Sequence, residues 1–446
     1  MSTAPRAGAQ RRRGSERAQA NERNDHPAAR PLIEIEDLAA PRLRWPLRVG
    51  NAALAPFAAR VRLDEASLVA AARKRAKLQD FGPKSFFDGL AALTNSLERD
   101  AELSPLGRLM ARQLLVQLLV TRLRLFELLR LHPEITDEPI ESPIFIIGLP
   151  RTGTTHLHTA MSHDERLRSM PYWESLDPIP DPHAAPRPEG KPDPRIARCA
   201  QGLRLVHYGM PLFPAMHEMS AEGPHEEIQL LAVEFETMFF EAGYNVPSYV
   251  EWYRSHDQTA SYRLLRTMLQ AMQWLRGGRR WVLKSPQHLE QLPVLLDVFP
   301  DAVVVQTHRD PVAVTASLVT MEAYTRRMQH SSVDLHAIGA HWSGRIEEML
   351  RASVVDRAQA PDGRVLDVAF HEFMADQVGT IERIEKSAGL EFDHSARRSV
   401  GRFLEDHPRG KHGTIKYDLA RFGIDPQERR RAFRFYTDLF DLPLEV

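Results

Sequence analysis

Residues 143–155, Pro-Ile-Phe-Ile-Ile-Gly-Leu-Pro-Arg-Thr-Gly-Thr-Thr, pass from an apolar segment into a glycine-bearing, hydroxyl-rich turn and then into a helical pattern. Such a turn aims backbone N–H groups and the positive end of a helix dipole, about half a unit charge, at one point where an anionic oxygen can sit. Gly148 and Gly153 have the spacing of the phosphate-binding loop G-x-x-x-x-G-K-S/T, but Thr154 stands where that loop has its lysine. Enzymes that move a γ-phosphoryl group rely on this lysine and on a magnesium-holding carboxylate. The turn therefore predicts a phosphate cradle without γ-phosphate chemistry. Arg151 offers a forked cation to the anion, and Thr152, Thr154 and Thr155 offer hydroxyls.

A second cluster follows at residues 306–317, Gln-Thr-His-Arg-Asp-Pro-Val-Ala-Val-Thr-Ala-Ser. Asp310 can cap a helix that Pro311 begins, which leaves Arg309 at the carboxyl end of the preceding apolar run. Ligands of open α/β sheets bind at that edge, and Ser317, about two turns into the helix, can lie on the face nearest Arg309. A guanidinium and a hydroxyl so placed make a second phosphate clamp. The same residues also fit an exposed Arg–Asp pair beside an ordinary helical serine.

Four short apolar runs, at residues 144–148, 281–284, 302–307 and 365–370, read as buried parallel strands, and helical patterns separate several of them. The expected fold is α/β, a P-loop-like doubly wound parallel sheet flanked by helices, with an N-terminal helical layer. That layer shows in apolar residues at spacings of three and four between residues 64 and 132. A further amphipathic helix is expected over 260–275, ending at Gly277-Gly278. Residues 172–194 hold too many prolines for a helix or central strand and predict a long loop over the acceptor site. Asp425, Pro426 and Glu428 predict a last helix running to about Asp438. The expected organisation is a disordered basic tail at 1–40, a helical region at 41–140, the α/β domain at 141–424 and a C-terminal helix at 425–446.

In 446 residues, 58 Lys and Arg nearly balance 59 Asp and Glu, so no global field recruits nucleic acid, and any anion site must be local. One cysteine, Cys199, excludes an internal disulfide and a cysteine metal cluster, fits a reducing compartment and reads as structurally incidental. The Arg-rich first thirty residues lack the apolar stretch of a secretory signal. Residues 114–131 are apolar but carry Arg122, Arg124, Glu127 and Arg130, so no transmembrane segment is expected and the reading is cytoplasmic.

With these motifs in place, GLPRTGTT, LKSPQH and THRDPVAVTAS together resemble the sulfotransferases that use 3′-phosphoadenosine 5′-phosphosulfate (PAPS), over roughly residues 143–422. The resemblance implies that Arg151, Thr152, Gly153, Thr154 and Thr155 hold the 5′-phosphosulfate, and that Arg309 and Ser317 hold the 3′-phosphate. Arg151, where cytosolic members have Lys, is closer to the tyrosylprotein-type and bacterial branches. Those branches end the second strand in a lysine, here Lys284, which would face the bridging oxygen of the leaving group. Glu174, beside apolar Tyr172 and Trp173, stands at about the distance from the cradle where they place a catalytic glutamate. It would take the acceptor proton while Lys284 and Arg151 stabilise the transition state.

His156, His158, His288 and His308 are competing bases, since other branches use histidine. Arg409 and Lys411, in a late basic loop, would reach the 3′-phosphate or adenine. PAPS would be a donor cosubstrate and no metal is called for, because no H-E-x-x-H or other zinc spacing occurs. The acceptor would be a hydroxyl of a small molecule, lipid or saccharide, and residues 208–253, rich in aromatic residues and Met, would suit an apolar alcohol or phenol. Oligomeric state is not readable. Two alternatives remain open at this stage: a P-loop kinase or nucleotidase using Asp310 or Asp367 for magnesium, and a non-catalytic nucleotide-binding protein.

Overall fold

The computed structural model describes residues 32–185, 188, 190–278, 280–407 and 414–445. Five parallel strands form the central sheet: β2 (Ile144–Ile147), β3 (Leu167–Arg168), β4 (Arg280–Lys284), β5 (Val303–His308) and β6 (Val365–Ala369), in the order β3-β4-β2-β5-β6. A separate parallel pair joins β1 (Leu32–Ile33) to β7 (Thr414–Ile415). The expected α/β sheet is present, and its four main strands fall where the apolar runs place them. The edge strand β3 and the β1–β7 pair are two residues each, too short to leave a period in the sequence.

β2 is the switch point of the sheet. The chain leaves it toward β3, returns through β4 and then crosses to β5 on the other side, so the loops after β2 and β5 diverge over the carboxyl rim. Pleating sends alternate β2 side chains to two cores. Phe145 and Ile147 join the larger core with the N-terminal helices, while Ile144 and Ile146 join a smaller one with Leu157, Val305, Phe373 and Val400.

The N-terminal region supplies helices Glu65–Ala76, Phe86–Arg99 and Pro105–Leu131. The last is 27 residues long and is tethered by buried Arg122, which donates to the Phe81 carbonyl at 2.9 Å and pairs with Glu234. The amphipathic segment expected at 260–275 is the helix Thr259–Arg276.

Two expectations are corrected. Residues 172–176 are helical, as Tyr172–Leu176, because Pro171 at its N-cap position starts the helix and Trp173 is buried against Cys199 and Leu203. The final helix stops at Ala432 after its Asp425 cap and resumes as Arg434–Thr437, because Phe433 leaves the helical path to enter the core. Among the described residues, no helix is long and apolar enough to cross a membrane.

Candidate active site

Adjacency of β4, β2 and β5 sets three loops side by side on one rim: Lys284 at the end of β4, the Gly148–Gly153 turn after β2, and Arg309 after β5. The turn lies hard against β5. A Cβ on Gly148, at φ 151°, would sit 2.1 Å from Thr307 Oγ1, so only glycine fits. Thr152 Oγ1 stitches the same seam, 2.7 Å from the Leu149 carbonyl and 2.6 Å from Thr307 Oγ1. Gly153, at φ 89°, then opens the helix Thr154–Met161, whose first N–H groups face the rim.

Arg151 occupies the left-handed region at φ 73°, a strain of order 1 kcal/mol for a residue with a Cβ. Its surroundings hold it there. Its carbonyl accepts Arg309 Nη1–H at 2.8 Å, its Nε–H donates to Ser317 Oγ at 3.0 Å, and its Nη1 donates to the Met216 carbonyl. The two arginines therefore belong to one site. Arg309 also stacks 4.3 Å over the Phe370 ring and makes a bidentate pair, 2.7 and 2.6 Å, with Glu445.

Lys284 is 3 % exposed. Its Nζ donates to Thr155 Oγ1 at 3.2 Å and pairs with Glu226. Beneath it, its backbone N–H donates to Glu227 Oε2 at 2.8 Å, and Glu227 Oε1 is 2.7 Å from His288 Nε2, whose Nδ1 meets the Tyr262 hydroxyl at 2.7 Å. Burial would raise the Glu227 carboxyl, but the His288 and backbone hydrogen bonds bring it below its ordinary value. A buried carboxylate and imidazole thus fix the strand end that aims Lys284.

Two chambers meet at this rim. One, of about 470 Å³, runs from the cradle, Lys284 and Arg309 to an apolar end walled by Met238, Phe239, Leu318, Met321 and Trp342. The other, of about 670 Å³, lies toward His163, Phe403 and His407. Arg151, Thr155, His156 and Lys284 line both, as do His217 and His225. Burial, with Lys284 and Arg151 nearby, pushes His217 down to about 3, and burial drives His225 well below its ordinary value. Both imidazoles are therefore neutral walls at physiological pH.

The family model described as "Sulfotransferase family" matches residues 143–394, more than half of the chain. The chain belongs to the sulfotransferase family. Omega-hydroxy-beta-dihydromenaquinone-9 sulfotransferase Stf3 of Mycobacterium bovis and of Mycobacterium tuberculosis is 26% identical over 298 residues, 63% of this chain and 70% of the relative. Among solved structures, sulfotransferase STF1 from Mycobacterium tuberculosis H37Rv is similar at 30% identity with a TM-score of 0.72, covering 83% of this chain and 98% of the other. Sulfotransferase STF9 from Mycobacterium avium is similar at 25% identity with a TM-score of 0.77, covering 86% and 98%. Sulfuryl transfer is accordingly the reaction of this protein.

Within this sulfotransferase, the rim gathers Arg151, Gly153, Thr154, Thr155, Lys284 and Arg309 around one cavity. Thr152 is turned inward to β5, so its hydroxyl serves the turn. Ser317 hydrogen-bonds Arg151 and not Arg309, because the cradle arginine swings across the start of the helix Pro311–Thr325. Arg409 and Lys411 lie outside the described residues.

The expectation of a base at Glu174 is corrected. Glu174 is 1 % exposed, lines neither chamber, and gives its two oxygens to Arg168 and Arg276, each at 3.1 Å. It follows the edge strand β3, where a structural two-arginine socket holds it. Nor do the described residues of 177–194 line either chamber; that wall comes from residues 213–243.

Of the histidines named from sequence, only His156 lines the chambers. His158 is buried against the Val282 carbonyl and is pushed down to about 4 by burial and then by Lys284. His308 pairs with Asp367 and Tyr436 away from the rim. The proposed magnesium carboxylates are also engaged elsewhere. Asp310 caps its helix through Val312 N–H at 2.9 Å, and Asp367 pairs with His308 and Arg357. Among the described residues, no group of three His, Cys, Asp or Glu side chains is placed to hold a metal.

The residue that sequence reasoning missed is Glu226. Pro224-His225-Glu226-Glu227 sets two adjacent carboxylates beside an imidazole, but Glu218, Glu222, Glu234 and Glu236 lie close by in the chain, so nothing local singles Glu226 out.

Proposed function

We propose that the protein transfers a sulfuryl group from PAPS to the hydroxyl of an apolar, lipid-like acceptor, with Glu226 as the general base and Lys284 as the cation at the transfer point. One observation carries this reading: Lys284, Thr155 and Glu226 meet where the anion cradle opens onto an apolar chamber. Three cations and a helix N-terminus converging on one rim suit a donor that carries phosphates at both ends of a nucleoside. PAPS supplies an already activated sulfuryl group, so the protein need only position, polarise and accept a proton.

The roles follow from the contacts. Arg151 and the first N–H groups of Thr154–Met161 would hold the 5′ end, and Arg309 the 3′-phosphate. In this structure Glu226 is held by Lys284; when that ammonium turns to the developing negative charge, Glu226 is released beside the acceptor hydroxyl to take its proton. Met238, Phe239 and Trp342 would exclude water and bind an apolar body. Stf3, named for a hydroxylated menaquinone, supports an acceptor of that kind.

Thermal unfolding tests the donor assignment. The 3′,5′-bisphosphate product should raise Tm without magnesium, by binding the native state alone. A rise with ATP and magnesium but none with the bisphosphate would overturn it.

A further inference from the structure

The apolar end of the first chamber holds two polar atoms with nothing to bond. Glu322, 4 % exposed on the helix Pro311–Thr325, and Trp342, 1 % exposed on the helix Leu335–Arg357, both line it. Glu322 Oε2 and Trp342 Nε1 lack hydrogen-bond partners. The chamber lining around them is mostly apolar, with Met238, Phe239, Leu318 and Met321; its polar members Thr325 and Gln329 bond neither atom, the Thr325 hydroxyl going to the Glu322 carbonyl. Polar groups buried this deeply are almost always paired, so two orphans on one apolar wall call for a partner from outside the chain.

The chemistry of the pair defines that partner. The indole N–H only donates. The carboxyl faces Arg326, just past the end of its helix, and Glu241 from Phe239–Gly243, and Glu241 is already held by Arg345 and His341. Burial raises Glu322 to about 8, with Arg326 opposing and Glu241 adding to the rise. At neutral pH it is therefore an O–H donor, and two donors ask for an acceptor oxygen.

We propose that the acceptor substrate carries two oxygen functions separated by an apolar body: a hydroxyl presented to Lys284 and Glu226, and a carbonyl-type oxygen received by Glu322 and Trp342. This rests on the sulfotransferase reading of the chamber and deepens it by making Glu322 a specificity determinant. A plain aliphatic alcohol would leave both donors unpaired and bind less well.

Equilibrium binding, measured by calorimetry without donor, tests the pocket apart from the reaction. The probes are a medium-chain primary alcohol and keto alcohols of the same length with the carbonyl at successive positions. One keto position should bind at least about tenfold more tightly than the plain alcohol. Glu322→Leu should erase that preference, without weakening the plain alcohol, by removing a donor that the alcohol leaves unpaired, and Glu322→Gln, which keeps an N–H donor, should retain most of it. In the wild type the preference should fade as pH rises past about 8, and in Glu322→Gln it should not. Equal affinity along the series, or equal weakening of every probe by Glu322→Leu, would overturn the proposal. An intact binding preference without sulfuryl transfer to any of these alcohols from PAPS would uphold the pocket and count against the reaction assigned to it.

Discussion

The donor rim and the acceptor chamber share Lys284 and Arg151 as a wall, yet they are made in opposite ways. The rim is built from two short contiguous stretches and one strand end. Its geometry comes from backbone: a turn pressed on β5, a helix N-terminus and an arginine held at positive φ. The chamber is built from single side chains on elements spread between Phe213 and Met374, and its geometry comes from packing. A site made of backbone keeps its ligand chemistry while the chain around it varies. A site made of scattered side chains can change acceptor by a few substitutions.

Breaking the rim should therefore damage transfer most. Lys284→Ala should lower kcat by about 10²–10³ with nucleotide affinity changed only a few-fold, because a cation placed where charge develops acts on the transition state. Steady-state kinetics and bisphosphate titration check the split, and equal loss of both would make Lys284 a binding residue only. Next come the two glutamates. Glu226→Gln should cost about 10² in kcat but lower unfolding free energy by no more than about 1 kcal/mol, since Lys284 keeps Thr155 as a partner. Glu174→Gln should leave kcat near wild type but lower unfolding free energy by about 1–3 kcal/mol, since Arg168 loses its buried carboxylate. Paired assays and melts on both variants separate a base from a structural anchor, and the reverse pattern would restore Glu174 as the base.

The smallest effect belongs to the C-terminal segment. Glu445 neutralises Arg309, and the pair is partly exposed. Glu445→Gln should tighten bisphosphate binding by no more than about fivefold, with the gain shrinking as salt rises. Weaker binding would mean that Glu445 orders Arg309 instead of competing for it.

The contrast between the regions also explains what could be read from sequence. The cradle, the strand-end lysine and Arg309 were legible because each motif fixes its own local geometry: an apolar run, a glycine turn, a cap followed by proline. Their neighbourhood followed from a parallel sheet that places carboxyl ends together. Thr152 was misjudged because a hydroxyl in a cradle can face the anion or the neighbouring strand, and only the closeness of Thr307 decides. Glu174 was misjudged because its distance along the chain resembles that of a base, while β3 carries it to the sheet edge. Glu226, Glu322 and Trp342 gave no local signal of convergence. They meet through tertiary packing, Glu226 with a strand end nearly sixty residues on and Glu322 with Trp342 on the next helix.

The central claim is that Arg309 grips one end of a donor whose other end lies in the Arg151 turn. A binding cycle tests it most directly: adenosine 3′,5′-bisphosphate and adenosine 5′-phosphate, each titrated against wild type and Arg309→Ala. The account predicts that wild type favours the bisphosphate by about tenfold or more and that Arg309→Ala removes this preference while binding the 5′-phosphate nearly as before. Equal weakening of both ligands by the substitution would contradict it.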